Sequence, residues 1–285
     1  MRSPEFTGVV AVCGVNGPQP RSTLRARAHE RMALTDWLNI TRIVAVCILM
    51  AAVATWLLWQ ARSRHGFAPL TAILRSAAQL AALVIVLQFM ITSVWWVLLW
   101  LVVMLVVAAL TATRSIGFDR IVLRAVLLSI LSGATVGVLV AFATGAVEFG
   151  AQYLLAIGGI VIGNSMSVAT LSAKRMREQL VDHRDEIFGW LALGATMRFA
   201  TARFRAEAVR LATTPNIDQS KTTGLVVLPG AFTGAVFAGA SPVEAGLFQI
   251  VVLSTIMLSS AITAVLVTEQ LGSPQQLPAP DGAVA

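Results

Sequence analysis

The residues of this chain that could do chemistry are neutral polar side chains inside an apolar run. Residues 152–171 are mostly apolar but include Asn164 and Ser165, with Ser167 and Thr170 following at helical spacing. A nucleophilic serine needs a base within hydrogen-bond reach, and the three histidines of the chain all lie outside its apolar runs. The remaining chemistry is hydrogen bonding, so these groups either join packed helices to one another or line a polar pathway.

Composition indicates the elements that must position these groups. The chain has 285 residues, of which 57% are hydrophobic and 12% are charged. Soluble domains carry about 25% charged residues, whereas runs of about 20 apolar residues are typical of membrane-spanning helices. The sequence therefore predicts an all-α, polytopic membrane protein that contacts the lipid bilayer. Seven spans are predicted, at residues 40–59, 70–90, 94–111, 122–143, 152–171, 223–238 and 243–267.

Three regions are expected along the chain. Residues 1–38 are polar, and we expect them to be disordered or to precede the true start of the protein, for which Met32 is a candidate. Residues 39–270 form the transmembrane domain, which includes a cytoplasmic segment at 173–221. Residues 271–285 are rich in proline, glycine and glutamine and are expected to form a disordered tail.

The charges of the loops predict an orientation and argue against one class of partner. Basic residues occur in alternate loops, and such loops stay in the cytoplasm. We therefore expect a multi-pass protein of the cell (inner or plasma) membrane, with its N-terminus outside and its C-terminus in the cytoplasm. The net charge of +7 follows from the same loop bias, so it does not indicate a nucleic acid partner.

The segment between the predicted fifth and sixth spans is predicted to form a cytoplasmic helical elbow. Its residues 187–193 read Ile-Phe-Gly-Trp-Leu-Ala-Leu, and apolar residues outside a span indicate a protein contact or an interfacial helix. Residues 197–210 alternate arginines with apolar side chains, which predicts a basic amphipathic helix on the inner leaflet. Pro215 is expected to end that helix.

No residue pattern in the chain supports catalysis or a bound cofactor. Ser220-Lys221-Thr222 lacks the glycine loop that cradles nucleotide phosphates. The span interiors lack the acids and lysines that relay ions, and they lack clusters with metal-ligand spacing. We therefore expect that the chain is not an enzyme, holds no metal site or cofactor of its own, and draws its energy from a partner.

Several motifs carry a resemblance that covers roughly residues 40–268. They lie at residues 163–166 (GNSM), 191–196, 215–218, 224–230 and 249–250. On these motifs the chain resembles the FetB-like permeases of ATP-binding cassette (ABC) transporters, the group of bacterial iron-export permeases and plant aluminium-tolerance proteins. The resemblance implies a permease subunit that pairs with a second copy of itself and exports a metal ion such as iron. It also implies a separate ATPase subunit, which would hold ATP and magnesium.

The resemblance further implies roles for particular residues. The elbow at residues 186–196 matches the coupling helix that docks on the ATPase in such permeases. Its coupling residues are Glu186, Phe188, Trp190, Leu191, Leu193 and Gly194. The residues implied for the substrate pathway are Asn164, Ser165, Met166, Arg75, Gln79, Thr233 and Gln249.

The chain departs from the family pattern just after the motif at residues 224–230. Ala231, Phe232 and Ala235 stand where the family usually has methionines and a glutamine, so the identity of the cargo stays open. A second interpretation also stays open: the chain is a non-transporting membrane scaffold or receptor whose elbow binds another protein.

Overall fold

The structure is a computed structural model that describes residues 21–61, 67–90, 93–117 and 119–272, with the backbone alone at 21–40, 85–86 and 88–90. Within these ranges every regular element is a helix, which confirms the all-α prediction. The helices are α1 (Arg21–Gln60), α2 (Ala68–Met90), α3 (Val94–Ile116), α4 (Arg120–Ala143), α5 (Ala151–Asp182), α6 (Arg184–Ala192), α7 (Met197–Ala200), α8 (Ala202–Thr222), α9 (Gly230–Phe237) and α10 (Pro242–Leu271).

The chain divides into two compact units, Met1–Val86 and Leu87–Ala285. The first unit contains α1 and most of α2. Helix α1 begins at Arg21, so it includes part of the segment that the sequence assigned to an N-terminal tail. Residues 1–20 and 273–285 lie outside the described residues.

Five helical segments of the described chain are long and apolar enough to cross a membrane. They are Thr41–Gln60 and the helices α3, α4, α5 and α10. The apolar part of α2, Ala68–Val84, is shorter than these. The prediction of seven spans is therefore not confirmed.

The predicted sixth span, residues 223–238, does not form one membrane-crossing helix. Its only helix is α9, which has eight residues and is therefore about 12 Å long. The hydrocarbon core of a bilayer is about 30 Å thick. The predicted sixth span is corrected to a loop that follows α8, the short helix α9 and a turn.

Helix α10 is the central helix of the second unit, and it packs against α4, α5, α8 and α9. Its contact with α4 is close because Gly133 has no side chain: a Cβ there would overlap Thr263 Oγ1 and lie 2.7 Å from the carbonyl oxygen of Ser259. The hydroxyl of Thr263 donates to the carbonyl of Ser129, 3.3 Å away. Small residues with hydrogen bonds between helices are typical of packing inside membranes.

Helix α8 returns alongside α5 and α10, and its course corrects two predictions. Its first half is packed, not spread on a leaflet, because Phe204 and Ala208 are buried in a cluster with Met176 of α5. Pro215 does not end the helix, which continues to Thr222. The helix tolerates this proline because its ring is exposed, while residues on either side are packed: Ala212 against α5 and α10, and Asn216 against α10.

Candidate functional site

A polar cavity lies between α5, α8, α9 and α10. Its volume is about 190 Å³. Its polar lining comes from Asn164 of α5, from the end of α8 and from Gln249 of α10, and none of the described residues that line it is charged. The lining residues are Ile160, Asn164, Asn216, Gln219, Ser220, Thr223, Pro229, Gly230, Ala231, Gln249, Val252, Leu253 and Ile256.

Gln249 is the buried polar side chain of this cavity. It is 7% exposed, and its side-chain oxygen Oε1 accepts no hydrogen bond in the structure. A buried acceptor without a donor costs about 1–3 kcal/mol. Among the described residues, no donor satisfies this oxygen of the cavity lining.

Two side-chain amides of the cavity are held by hydrogen bonds within the protein. The side-chain amide Nδ2 of Asn164 donates to the carbonyl of Ile160 at 3.2 Å, and Nδ2 of Asn216 lies 2.7 Å from Oγ of Ser260. Because a carbonyl only accepts, the first bond fixes which end of the Asn164 amide is the oxygen, and it leaves the Oδ1 of Asn164 available to the cavity.

The two hydroxyls of the cavity behave in the same way. Oγ of Ser220 donates to the carbonyl of Asn216 at 2.8 Å, and Oγ1 of Thr223 donates to the carbonyl of Gln219 at 2.8 Å. A hydroxyl has one hydrogen and two lone pairs, so both oxygens retain accepting capacity. The polar cavity consequently presents acceptors beside the side-chain amides of Gln219 and Gln249.

The structure brings together two of the pathway residues expected from the sequence, Asn164 and Gln249. Ser165 is fully buried and, like Met166, does not line the cavity; Met166 packs against the main core of the second unit. Thr233 lies on α9 and donates to the carbonyl of Pro229, 3.2 Å away. A role for these residues in a pathway stays a prediction.

Arg75 and Gln79, the remaining pathway residues, lie on α2 in the first unit. Both are exposed. Their pathway role also stays a prediction.

The sequence did not single out four of the polar residues that line the cavity: Asn216, Gln219, Ser220 and Thr223. They are spaced i, i+3, i+4 and i+7, which places them on one face of a helix. This spacing in the sequence could have identified a polar face of a helix. The face was not predicted because Pro215 was expected to end the helix before these residues begin.

The elbow between α5 and α8 consists of α6, α7 and their connections. Ile187 is fully buried and anchors α6, and the carboxylate of Glu186 pairs with the guanidinium of Arg203 at 2.8 Å. Three large apolar side chains at α6 and the residue that follows it are exposed to solvent. Their exposed fractions are 48% for Phe188, 41% for Trp190 and 81% for Leu193. Together they form an exposed apolar face, here called the elbow face.

Gly194 gives the elbow its turn. Its φ is +86°, a conformation that residues with a side chain rarely adopt. The amide of Gly194 donates to the carbonyl of Leu191 at 2.9 Å, and the amide of Ala195 donates to that of Trp190 at 3.0 Å. This pair of bonds is a Schellman motif, so Gly194 terminates α6.

The elbow is joined to the last turn of α10. Arg205, buried on α8, pairs through Nη1 with the carboxylate of Glu269 at 2.6 Å, and its Nη2 donates to the carbonyl of Arg198 at 2.8 Å. The hydroxyl of Thr201 donates to the carbonyl of Gly272 at 2.7 Å. We call this set of contacts the elbow–α10 joint. It connects the elbow to the helix that carries Gln249.

No group of three or more His, Cys, Asp or Glu side chains that could hold a metal ion occurs in the part of the chain that the structure describes. The oxygen atoms of the polar cavity are neutral, and direct coordination of a transition metal generally uses imidazole, thiolate or carboxylate ligands.

Comparison with known proteins gives a family match over most of the chain. The family described as "Uncharacterised protein family (UPF0014)" matches residues 40–273. The chain is 37% identical over 201 residues to the UPF0014 membrane protein STAR2 of Oryza sativa subsp. japonica, an alignment that covers 70% of each chain. It is 33% identical over 199 residues to the Protein ALUMINUM SENSITIVE 3 of Arabidopsis thaliana, covering 68% of this chain and 72% of that protein.

A bacterial relative is named for a transport activity. The chain is 35% identical over 143 residues to the "Probable iron export permease protein FetB" of Escherichia coli (strain K12), covering 49% of this chain and 55% of that protein. No solved structure matches the chain significantly.

Proposed function

Because the chain belongs to the UPF0014 family of membrane proteins, we propose that it is the membrane-spanning permease subunit of an ABC transporter. The similarity to FetB confirms the family resemblance drawn from the sequence motifs. Export of a metal ion such as iron is proposed for this chain from the name of that relative.

The observation that carries the proposal is the polar cavity among apolar helices. Polar side chains inside a membrane are costly, and they mark substrate pathways more often than lipid-facing surfaces. Asn164 and Gln249 project from α5 and α10, two helices long and apolar enough to span. Beside Asn164, α5 exposes Gly163 and Ser167, a small and polar surface that is poorly suited to hydrocarbon.

We propose that a second copy of the chain covers this surface of α5. A two-fold pair would place two polar cavities beside one shared route through the bilayer. Gly163 has open space around the position of its missing Cβ, so another helix could approach it closely.

The elbow face is the proposed docking site for the ATPase. Phe188, Trp190 and Leu193 offer exposed apolar area outside the five candidate spans, as contact surfaces for other proteins commonly do. ATP and magnesium would be held by the ATPase, and the elbow–α10 joint would pass its motion to α10. In the orientation proposed from the loop charges, the elbow and the C-terminus are cytoplasmic and the N-terminus is outside.

Reconstitution of the chain with its ATPase tests this function. Leu193→Asp puts a charge on the elbow face, and we expect it to abolish co-purification of the ATPase and metal-stimulated ATP hydrolysis while the melting temperature of the permease is unchanged. Ala206→Asp adds the same charge at an exposed position of α8 outside the elbow face and is expected to change neither. Retention of the ATPase by Leu193→Asp would contradict the docking site.

The exposed elbow face also favours a second function, that of a membrane scaffold or receptor. This function requires a partner but no route for cargo. Transport of metal into vesicles that contain both subunits would exclude it, whereas a stable complex without transport or stimulated hydrolysis would support it.

A further inference from the structure

We propose that the polar cavity binds its cargo as a cation that keeps its shell of water, held by hydrogen bonds from the shell to the protein oxygens. This inference rests on the proposed permease function and goes beyond it, because it concerns how the cargo is recognised. It predicts that the cavity selects for charge and size and not for the metal's preferred direct ligands.

The first argument is the direction of the hydrogen bonds. One amide hydrogen of Asn164 and the hydroxyl hydrogens of Ser220 and Thr223 are donated to backbone carbonyls. The side-chain oxygens of these three residues therefore keep lone pairs for a ligand in the cavity. Water molecules bound to a metal are strong donors, because the ion polarises their O–H bonds.

Gln249 supplies the second argument. Its Oε1 is buried and accepts no hydrogen bond from the described residues. A ligand that donates a hydrogen bond to this oxygen would remove the free-energy cost of the unpaired acceptor. An acceptor kept in this condition favours a donor-rich ligand over an anion, whose lone pairs would face those of the protein.

The third argument is the lack of charge in the lining. The residues around the cavity include no carboxylate, thiolate or imidazole. A bare cation would therefore lose its hydration without gaining ligands of comparable strength, which is strongly unfavourable in a medium of low dielectric constant. A cation that keeps its water avoids most of this cost, and hard cations such as Mg²⁺ give up their waters reluctantly.

The cavity is large enough for such a shell. Its volume is about 190 Å³, and a water molecule occupies about 30 Å³ in the liquid. The cavity therefore has room for an ion together with several of its water molecules.

The experiment uses hexaamminecobalt(III), an ion whose ammonia ligands do not exchange and whose N–H groups imitate those of a water shell. Its binding to the full chain in lipid nanodiscs is measured by calorimetry, together with its competition against the exchangeable ion Mn²⁺. We expect the complex ion to bind the unmodified chain and to displace Mn²⁺.

Gln249→Leu is expected to weaken that binding about tenfold or more, the factor that corresponds to one lost hydrogen bond to a charged group. The variant should keep or raise the melting temperature, because leucine fills a similar volume and removes the unpaired oxygen. Asn164→Ala is a second variant with the same expected direction. The matched control is Gln152→Leu, which replaces an exposed glutamine of α5 three turns away from Asn164 and should leave binding unchanged.

Two outcomes overturn the inference, and they differ in what they say about the permease function. If Mn²⁺ binds and stimulates ATP hydrolysis but hexaamminecobalt(III) neither binds nor competes, the cargo is coordinated directly and the permease function stands. If neither ion binds and no metal stimulates ATP hydrolysis, the result contradicts both the hydrated-cation site and the proposed permease function.

Discussion

At the scale of single residues, Gly194 is a glycine whose type is required by its backbone. Its φ of +86° makes any side chain unfavourable there, by about 1 kcal/mol for alanine. Gly189, in the interior of the same helix α6, has open space around its missing Cβ, and alanine suits a helix interior better than glycine. The two glycines of the elbow therefore respond to the same substitution in opposite ways.

We expect Gly194→Ala to lower the free energy of unfolding of the elbow by about 1 kcal/mol, and Gly189→Ala to raise it by about 0.5–1 kcal/mol. Hydrogen exchange of the amides of α6 measures both effects, because it reports local opening. Equal exchange rates in the two variants would show that the turn at Gly194 does not require a left-handed backbone.

The residues of the polar cavity show what sequence reasoning could reach at this scale. Asn164 was singled out because it is an amide in an apolar run, and Gln249 was implied by the family resemblance. Asn216 and Gln219 were not found, since the rule that proline ends a helix was applied to Pro215. Contacts with α5 and α10 maintain α8 past that proline, and such support comes from residues far away in the sequence.

At the scale of elements, the elbow–α10 joint decides whether the elbow and α10 move together. Arg205 is 9% exposed and is held by Glu269 and by the carbonyl of Arg198. Removing its guanidinium takes the donor from the carbonyl of Arg198 and leaves Glu269 with its second ion pair, to the guanidinium of Arg198 at 3.2 Å. Because Glu269 is partly exposed, water replaces some of the lost interaction.

We expect Arg205→Met to lower the free energy of unfolding by about 1 kcal/mol, because the carbonyl of Arg198 loses its hydrogen bond, and to reduce metal-stimulated ATP hydrolysis although the ATPase stays bound. Denaturant titration and the coupled assay measure the two effects. The control is Arg210→Met on the same helix, which breaks an exposed pair with Glu207 and should have little effect on either. If Arg205→Met hydrolyses ATP with normal stimulation, the joint does not transmit the motion of the elbow.

The helices that the sequence predicted well are those whose apolar runs are long and uninterrupted. Helices α3, α4 and α10 follow from such runs, because length and composition alone determine a membrane-crossing helix. The segment at residues 223–238 is also apolar but folds as a loop and the short helix α9. The backbone turns at Gly224, where φ is +89°, and a hydropathy pattern does not register a turn of this kind.

At the scale of the whole molecule, the length of α10 predicts that the elbow and the start of α10 lie on opposite sides of the membrane. The helix has 30 residues and is therefore about 45 Å long, more than the hydrocarbon thickness of about 30 Å. Its last turn contacts the elbow through Glu269, and its first turn lies at the other end. A crossing α10 thus separates Leu193 of the elbow from Val243 at its start.

Single cysteines at these two positions test the orientation. In a background with Cys13→Ser and Cys47→Ser, we expect Val243→Cys to react with a membrane-impermeant maleimide in intact cells. Leu193→Cys should react only after the cells are opened, because the basic elbow is expected in the cytoplasm. Both side chains are well exposed, at 72% and 81%, so labelling reports the side of the membrane. Labelling of both positions from one side would show that α10 does not cross.

The polar cavity has one further property, which concerns inheritance. All of its lining residues lie between Ile160 and Ile256, a single uninterrupted part of a chain of 285 residues. A single recombination event that exchanges this part between two related genes would transfer all the lining residues of the cavity together. In the proposed permease, the cavity and its preference for a cargo would therefore pass between relatives as a block.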